Sequence, residues 1–152
     1  MIPTYREQFN RTYSPERYLA LLDWLERRSG VKVQFRVAET PIFVPLAMLD
    51  NMSEAGAALA NTLIGDKTYV EAALQAIPPG FRVAGDIAHP NFLTADFALV
   101  RDPDGGLRPR LVEIQAFPSV YGYQSVLAAG YREIYGLDPE LGTYLSGLTE
   151  RS

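Results

Sequence analysis

Asp96, Glu113 and Gln115 carry the side chains whose types and spacing could do chemistry. Two apolar runs, "FLTADFALV" and "LVEIQAF", flank the stretch "DPDGG", whose composition is typical of a β-hairpin turn. A turn centred on Asp104 and Gly105 places Asp96 directly opposite Glu113, and a one-residue bulge would move this register. Because side chains alternate along a strand, Glu113 and Gln115 share the face that carries Asp96. The sequence therefore predicts a cluster of oxygen ligands on one face of a hairpin.

The two facing carboxylates need a counter-charge. Like charges about 5 Å apart at Cβ destabilise a hairpin unless a cation or a shared proton lies between them. Mg²⁺ suits this set, because it accepts carboxylate and amide oxygens and keeps positions open for phosphate oxygens. The alternative is an arginine paired with each acid at the sheet edge, and the candidates are Arg36, Arg101, Arg108 and Arg110. The residues alone leave both interpretations open.

This hairpin resembles the metal-binding hairpin of the ATP-grasp superfamily. In that pattern an Asp on one strand and a DG-type turn precede an apolar strand that ends in Glu-x-Asn or Glu-x-Gln. The corresponding parts here read "ADF", "DPDGG" and "LVEIQ". The next stretch, "AFPSVYGY", is similar to the Pro-Ser-Gly-rich segment that follows the motif in circularly permuted ATP-grasp proteins. The resemblance covers residues 92–124.

The resemblance implies a magnesium site and an ATP-dependent reaction. Asp96 and Glu113 would correspond to the Mg²⁺ ligands, and Gln115 stands where the pattern usually has Asn. Gln keeps the amide oxygen but adds a methylene, so direct and water-mediated ligation both stay open. The implied activity is that of a carboxylate–amine ligase, in which Mg²⁺ and ATP make an acyl phosphate for an amine or thiol to attack.

Parts of an ATP-grasp site are missing from the sequence. Such a site uses lysines on the ATP phosphates and a hinge segment for adenine, whereas this chain has only Lys32 and Lys67 and no Gly-rich phosphate loop of Walker type. We therefore expect residues 1–152 to form a single domain that is the N-terminal section of a longer ATP-grasp-like protein, or a shortened relative without catalysis. The expected partner is a small-molecule substrate or the missing nucleotide-binding half.

Three further residues are candidates for contact with a cofactor. Arg36 is predicted on the polar face of a strand, where it could bind an anionic group or form a salt bridge with Glu39. Ser119, in "FPSVYG", lacks the flanking glycines of a nucleophile elbow and is better suited to donate a hydroxyl to a ligand or to cap a helix. Tyr121 could line a pocket or pack against the helix that follows.

Helices must position these groups. Ser14 and Pro15 begin a predicted helix that ends at Gly30. A second helix has apolar residues at three- and four-residue spacing from Leu49 to Leu63. A third covers "KTYVEAALQAI" and is ended by two prolines, and its predicted buried stripe is Val70, Ala73, Leu74 and Ile77. The last helix contains "SVLAAGYREIYG", with Leu127, Tyr131 and Ile134 predicted in the core.

The hairpin and one further strand should form the sheet. The stretch "VKVQFRV", residues 31–37, alternates strictly and is typical of a half-buried strand. The hairpin face opposite the acids is predicted to hold Phe97, Leu99, Val112 and Ile114. These elements predict an α/β (α+β) fold with a mixed or antiparallel sheet, a central β-hairpin and helices packed on it, as part of an ATP-grasp-like fold.

Composition excludes several classes of function. The chain has 152 residues, 47% of them hydrophobic, which is enough for one core. A net charge of -4 gives no reason to expect nucleic acid or an anionic membrane as a partner. Without cysteine, and with His89 as the only histidine, thiolate zinc sites and multi-histidine sites are excluded. The sequence has no signal peptide and no apolar run long enough to cross a bilayer, so we expect a cytoplasmic protein.

Two other functions remain open at this stage. One is a non-catalytic binding or assembly domain whose acidic pair is salt-bridged. The other is acid–base hydrolysis by two carboxylates, as in glycosidases, which requires an open cleft with separated carboxyl groups. Metal dependence distinguishes both from the ligase.

Overall fold

The described part of the protein is an α+β structure of five α-helices and one antiparallel hairpin. The computed structural model describes residues 2–85, 89–116, 120–145 and 147–148. The elements are α1 (Pro3–Thr12), α2 (Pro15–Ser29), α3 (Leu46–Gly65), α4 (Lys67–Ala76), a 3₁₀ turn (Pro79–Phe81), β1 (Thr94–Arg101), β2 (Leu107–Gln115) and α5 (Tyr121–Tyr135). In these residues, no helix has both the length and the apolar character needed to cross a bilayer. The predicted combination of helices with an antiparallel sheet is confirmed.

Local capping signals set the ends of the predicted helices. The Ser14 hydroxyl accepts a hydrogen bond of 3.3 Å from the backbone N–H of Arg17 at the start of α2, and Gly30 ends this helix with a left-handed φ of 72°. Asp66 caps α4 by accepting a 3.0 Å hydrogen bond from the Tyr69 N–H. These contacts satisfy backbone groups that a helix end leaves without partners. The helix predictions that became α2, α3, α4 and α5 are confirmed.

The chain divides into two compact units, and the first holds a well-packed core. This unit consists of Met1–Leu46 and Ser119–Ser152. Its buried side chains are Phe9, Leu21, Leu25, Val37, Phe43, Tyr131 and Tyr135. In this core α2 and α5 pack closely at Gly130, where a Cβ atom would lie 2.9 Å from the Leu21 side chain and 3.1 Å from the Trp24 ring. Only glycine allows this approach of the two helices.

Residues 31–37 do not form the predicted strand. Within the described chain they pair with no other strand. Side chains bind the end of this segment instead: the Tyr18 hydroxyl donates a 2.8 Å hydrogen bond to the Val37 carbonyl, and the Tyr131 hydroxyl donates one to the Ala38 carbonyl. The prediction is wrong because alternation defines two faces of a segment but does not supply a partner strand.

The second unit, Ala47–Pro118, contains α4, the hairpin and nearly all of α3. Gly56 of α3 lies against β1, and a Cβ atom there would approach the Ala95 Cβ to 3.0 Å. The predicted buried stripe of α4 is wrong: no residue of this helix is buried, and Leu74 is 45% exposed. Among its described residues this unit has no fully buried large apolar side chain, so it has little core of its own.

The hairpin turn is centred on Asp104. The Gly105 N–H donates a 2.8 Å hydrogen bond to the Asp102 carbonyl, and Gly105 has a φ of 85°. A Gly in the left-handed region after a tight turn is typical of three-residue hairpin loops. The Asp104 carboxylate accepts a 3.0 Å hydrogen bond from the Gly106 N–H. The predicted turn centre, between Asp104 and Gly105, therefore lies half a position too late.

A β-bulge corrects the register beyond the turn. The ladder pairs Phe97 with Leu111, then skips Val112, and continues with Asp96 opposite Glu113. The extra residue, Val112, is 64% exposed. Its predicted place on the apolar face is therefore wrong, and Leu111 stands opposite Phe97 instead. The predicted pairing of Asp96 with Glu113 is confirmed.

Candidate metal centre

The acidic pair lies on one face of the hairpin, beside the bulge. Asp96 and Glu113 are direct partners in the antiparallel ladder, and Thr94 pairs with Gln115 one step further. Side chains of directly opposed residues lie on the same side of a sheet, with Cβ atoms about 5 Å apart. Asp96 is partly buried and Glu113 is exposed. The hairpin thus brings together the three residues that the sequence predicted as metal ligands.

The Gln115 amide joins the two carboxylates. Its Nε2 donates a 3.3 Å hydrogen bond to Asp96 Oδ2 and a second, shorter one to Glu113 Oε1. One neutral amide therefore contacts two negative charges, and the carboxylate oxygens converge on one point. An amide donor offsets part of the repulsion between two carboxylates but adds no positive charge.

The arginines proposed as counter-ions are engaged elsewhere or lie beyond ion-pair distance. Arg36 pairs with Glu39 at 2.9 Å, and Arg108 pairs with Asp102 at 2.6 Å. Arg101 donates a 2.8 Å hydrogen bond to the Gly105 carbonyl. Across the described residues no ion pair includes Asp96 or Glu113. The salt bridges of the alternative interpretation are therefore not formed among these residues.

Arg110 lies on the same face of the hairpin as the acidic pair. It pairs with Ala98 in the ladder, which places it on the acidic face, two positions along β1 from Asp96. Its side chain is exposed and makes no ion pair with a described residue. The bulge produces this placement, because an unbulged strand would put Arg110 and Glu113 on opposite faces.

The donor set fits a magnesium ion better than a transition metal. No group of three or more Asp, Glu, His or Cys side chains in the described residues could hold a metal ion. Mg²⁺ commonly uses one or two carboxylates, several waters and phosphate oxygens, so two carboxylates and an amide suffice. The same set lacks the nitrogen and sulfur ligands that Zn²⁺ or Cu²⁺ prefers.

The other predicted cofactor contacts lie outside the hairpin unit. Arg36 and Tyr121 both belong to the first unit. Arg36 is 83% exposed in its ion pair with Glu39, and Tyr121 is the first residue of α5, where it is partly buried. Ser119 lies outside the described residues. The hairpin unit therefore contains Asp96, Glu113 and Gln115 alone among the predicted site residues.

Two tyrosine hydroxyls hold the segment next to Arg36. Besides Tyr18, the Tyr131 hydroxyl binds this segment at the Ala38 carbonyl. Burial raises the pKa of Tyr131 to about 12, because the phenolate would lose its hydration. The sequence placed Tyr131 in the core but gave no signal for its hydrogen bond, since the acceptor is a main-chain carbonyl far away in the chain.

Known proteins add no analogy to these observations. Comparison with protein-family models, with curated proteins and with solved structures found no match for this chain. The chemistry of the hairpin must therefore be inferred from its carboxylates, its amide and Arg110.

Proposed function

We propose that the hairpin binds Mg²⁺ through Asp96 and Glu113, in a fragment or degenerate relative of an ATP- and Mg²⁺-dependent carboxylate–amine ligase. One observation carries the proposal: two carboxylates are opposed across the ladder, and no described cation pairs with either. A bound Mg²⁺ would supply positive charge to phosphate oxygens of ATP. The resemblance of "ADF", "DPDGG" and "LVEIQ" to the ATP-grasp hairpin supports the same assignment.

Gln115 and Arg110 have supporting roles in this proposal. The Gln115 amide now directs its N–H₂ group toward both acids. Rotating the amide by half a turn would direct its oxygen to the same point, which converts a donor into a ligand without moving the backbone. Arg110, exposed on the same face, is suited to a phosphate oxygen, because its planar guanidinium can donate two parallel hydrogen bonds.

The test is a calorimetric titration of the full chain with Mg²⁺ and with Mn²⁺, each with and without ATP. The ligase proposal predicts metal binding that Asp96→Asn and Glu113→Gln each weaken at least about tenfold, since each removes one of two anionic ligands. Asp50→Asn and Glu71→Gln are matched controls, because both acids are exposed on helices of the same unit. The controls should bind metal as the unaltered chain does.

The outcomes separate the proposal from its alternatives. Metal binding that is absent, or that survives both hairpin substitutions, would refute a magnesium site at Asp96 and Glu113. Metal binding without tightening by ATP would keep the metal site and refute the ATP-dependent part. Two-carboxylate hydrolysis would give an activity that a chelator leaves unchanged.

A non-catalytic binding or assembly domain is the second candidate. Its specific support is the exposure of three apolar side chains of the second unit: Phe81, Val83 and Val112 are 79%, 72% and 64% exposed. Where such side chains form a contiguous apolar patch, the patch is typical of a surface that a partner covers. This candidate predicts self-association or partner binding that is indifferent to metal, measured by sedimentation velocity with Mg²⁺ and with EDTA.

A further inference from the structure

A groove in the first unit lies between α2 and residues 32–37. Its volume is about 170 Å³. Tyr18, Leu22 and Glu26 form the α2 wall, and their four-residue spacing places them on one face of the helix. Leu22 and Val33, both partly buried, supply apolar side-chain surface to the groove. The groove is therefore a concave apolar surface with a carboxylate at one end of its helical wall.

Charges of both signs line this groove. Lys32 and Arg36 line it together with Glu26. Arg36 is already paired with Glu39, whereas no ion pair with a described residue engages Lys32 or Glu26. Since Lys32 and Glu26 do not pair with each other, their charged atoms are separated by more than an ion-pair distance of about 4 Å. One positive and one negative charge of the lining thus remain available to a ligand.

We infer that this groove binds a small zwitterion with an apolar body, of which an apolar α-amino acid is the simplest member. The Lys32 ammonium would bind the carboxylate of the ligand, and the Glu26 carboxylate would bind its ammonium group. The apolar body would lie on Leu22 and Val33. A ligand with a single charge leaves one of the two protein charges without a partner, so both signs are needed for full complementarity.

An aromatic wall completes the groove. Phe35 lines it and is 51% exposed. The Phe35 ring is held edge-on to Tyr123, with ring centroids 5.3 Å apart. A ring fixed by a second aromatic loses little side-chain freedom when a ligand covers it, which favours binding of an apolar group at this position.

The test is an NMR titration of the ¹⁵N-labelled full chain with L-leucine in EDTA, which keeps metal away from the hairpin. Leucine should shift the amide signals of residues 32–37 and of the α2 face. Two comparison probes each lack one charge: isoamylamine has no carboxylate, and 4-methylpentanoate has no ammonium group. Both should bind at least about tenfold more weakly than leucine, the loss expected for one charge-assisted hydrogen bond.

Surface substitutions make the inference specific to these residues. Lys32→Gln and Glu26→Gln should each weaken leucine binding about tenfold, and Arg28→Gln, an exposed change elsewhere on α2, should leave it unchanged. Equal binding of either single-charge probe would overturn the zwitterion assignment. An absence of shifts with leucine at about 10 mM would overturn the site itself, because weaker binding than this has no specificity. Neither result bears on the magnesium proposal, which concerns other residues and a different probe.

Discussion

Glu113→Gln should have opposite effects on hairpin stability without and with Mg²⁺. In the metal-free protein the substitution removes one of two opposed negative charges while keeping the shape of the side chain. The Gln115 amide still has Asp96 as an acceptor, at 3.3 Å. With Mg²⁺ present, the same substitution would remove a proposed ligand.

The expected magnitudes follow from the ladder geometry. Two unit charges about 5 Å apart repel by roughly 0.8 kcal/mol in water and about 3 kcal/mol near a protein surface. Because Glu113 is exposed and the amide offsets part of the repulsion, we expect Glu113→Gln to stabilise the metal-free hairpin by about 0.5–1 kcal/mol. Mg²⁺ at a hundred times its dissociation constant would stabilise the unaltered chain by about 2.7 kcal/mol. The order of stability should therefore reverse when metal is added.

Amide hydrogen exchange of β1 and β2 is the appropriate assay. Trp24, the only tryptophan, belongs to the first unit, whereas exchange of the β1 and β2 amides reports on the hairpin directly. Exchange should be slower in Glu113→Gln than in the unaltered chain in EDTA, and faster in saturating MgCl₂. Glu71→Gln, on α4, serves as the control and should leave the exchange of β1 and β2 unchanged in both EDTA and MgCl₂.

Two results would refute this reasoning. Faster exchange of the variant in EDTA would mean that the Glu113 carboxylate stabilises the hairpin through its hydrogen bond with Gln115. Equal protection of the variant and the unaltered chain by Mg²⁺ would mean that Glu113 is not a metal ligand.

Three further predictions concern other parts of the chain. Gly130→Ala should destabilise the first unit by about 1–2 kcal/mol in urea unfolding followed by Trp24 fluorescence, because the added methyl group would overlap Leu21 and Trp24. Gly122→Ala is the control: it has open space around it and should be neutral or stabilising by up to about 1 kcal/mol. Arg110→Gln should leave Mg²⁺ affinity unchanged in calorimetry but reduce the tightening caused by ATP about fivefold; equal loss with and without ATP would contradict a phosphate contact. Because burial raises the pKa of Tyr131 to about 12, the folded state holds this proton more tightly than the unfolded state. The stability that this proton contributes should be complete below pH 10 and fall by on the order of 2 kcal/mol as the pH rises through 12. Tyr131→Phe should flatten part of this fall in stability, and an unchanged slope would contradict the prediction.

Local signals predicted more of the fold than patterns that depend on distant partners. The helix from Pro15 to Ser29 could be predicted because Ser14 and Gly30 act on adjacent backbone groups. Helix α1 was not predicted, since it has no side-chain N-cap and its one buried residue, Phe9, is in the core through contacts with distant aromatic residues. The predicted strand at residues 31–37 was wrong for a related reason, because a strand also needs a neighbouring strand to pair with.

The candidate site shows the same division. The facing of Asp96 and Glu113 could be predicted from the turn and the alternation, and it is confirmed. The predicted turn centre was too late, which shifted every predicted pair by one residue on β2. The bulge at Val112 shifts the actual pairs by one residue in the same direction, so prediction and structure agree at the acidic pair. The position of Arg110 on the acidic face could not be predicted, because a bulge in a strand has no reliable sequence signal.

The skipped residue at Val112 has a consequence for the evolution of such hairpins. Without the bulge, the same turn would place Val112 opposite Asp96. The bulge therefore adds one residue to the sequence separation between Asp96 and its partner Glu113. An insertion in one strand can therefore be absorbed while the two carboxylates keep facing each other. Related hairpins can hold the same pair at different sequence separations, so a search with a fixed spacing between the two acids would overlook some of them. The cross-strand partnership, and not the number of intervening residues, is the property that selection for a metal site would preserve.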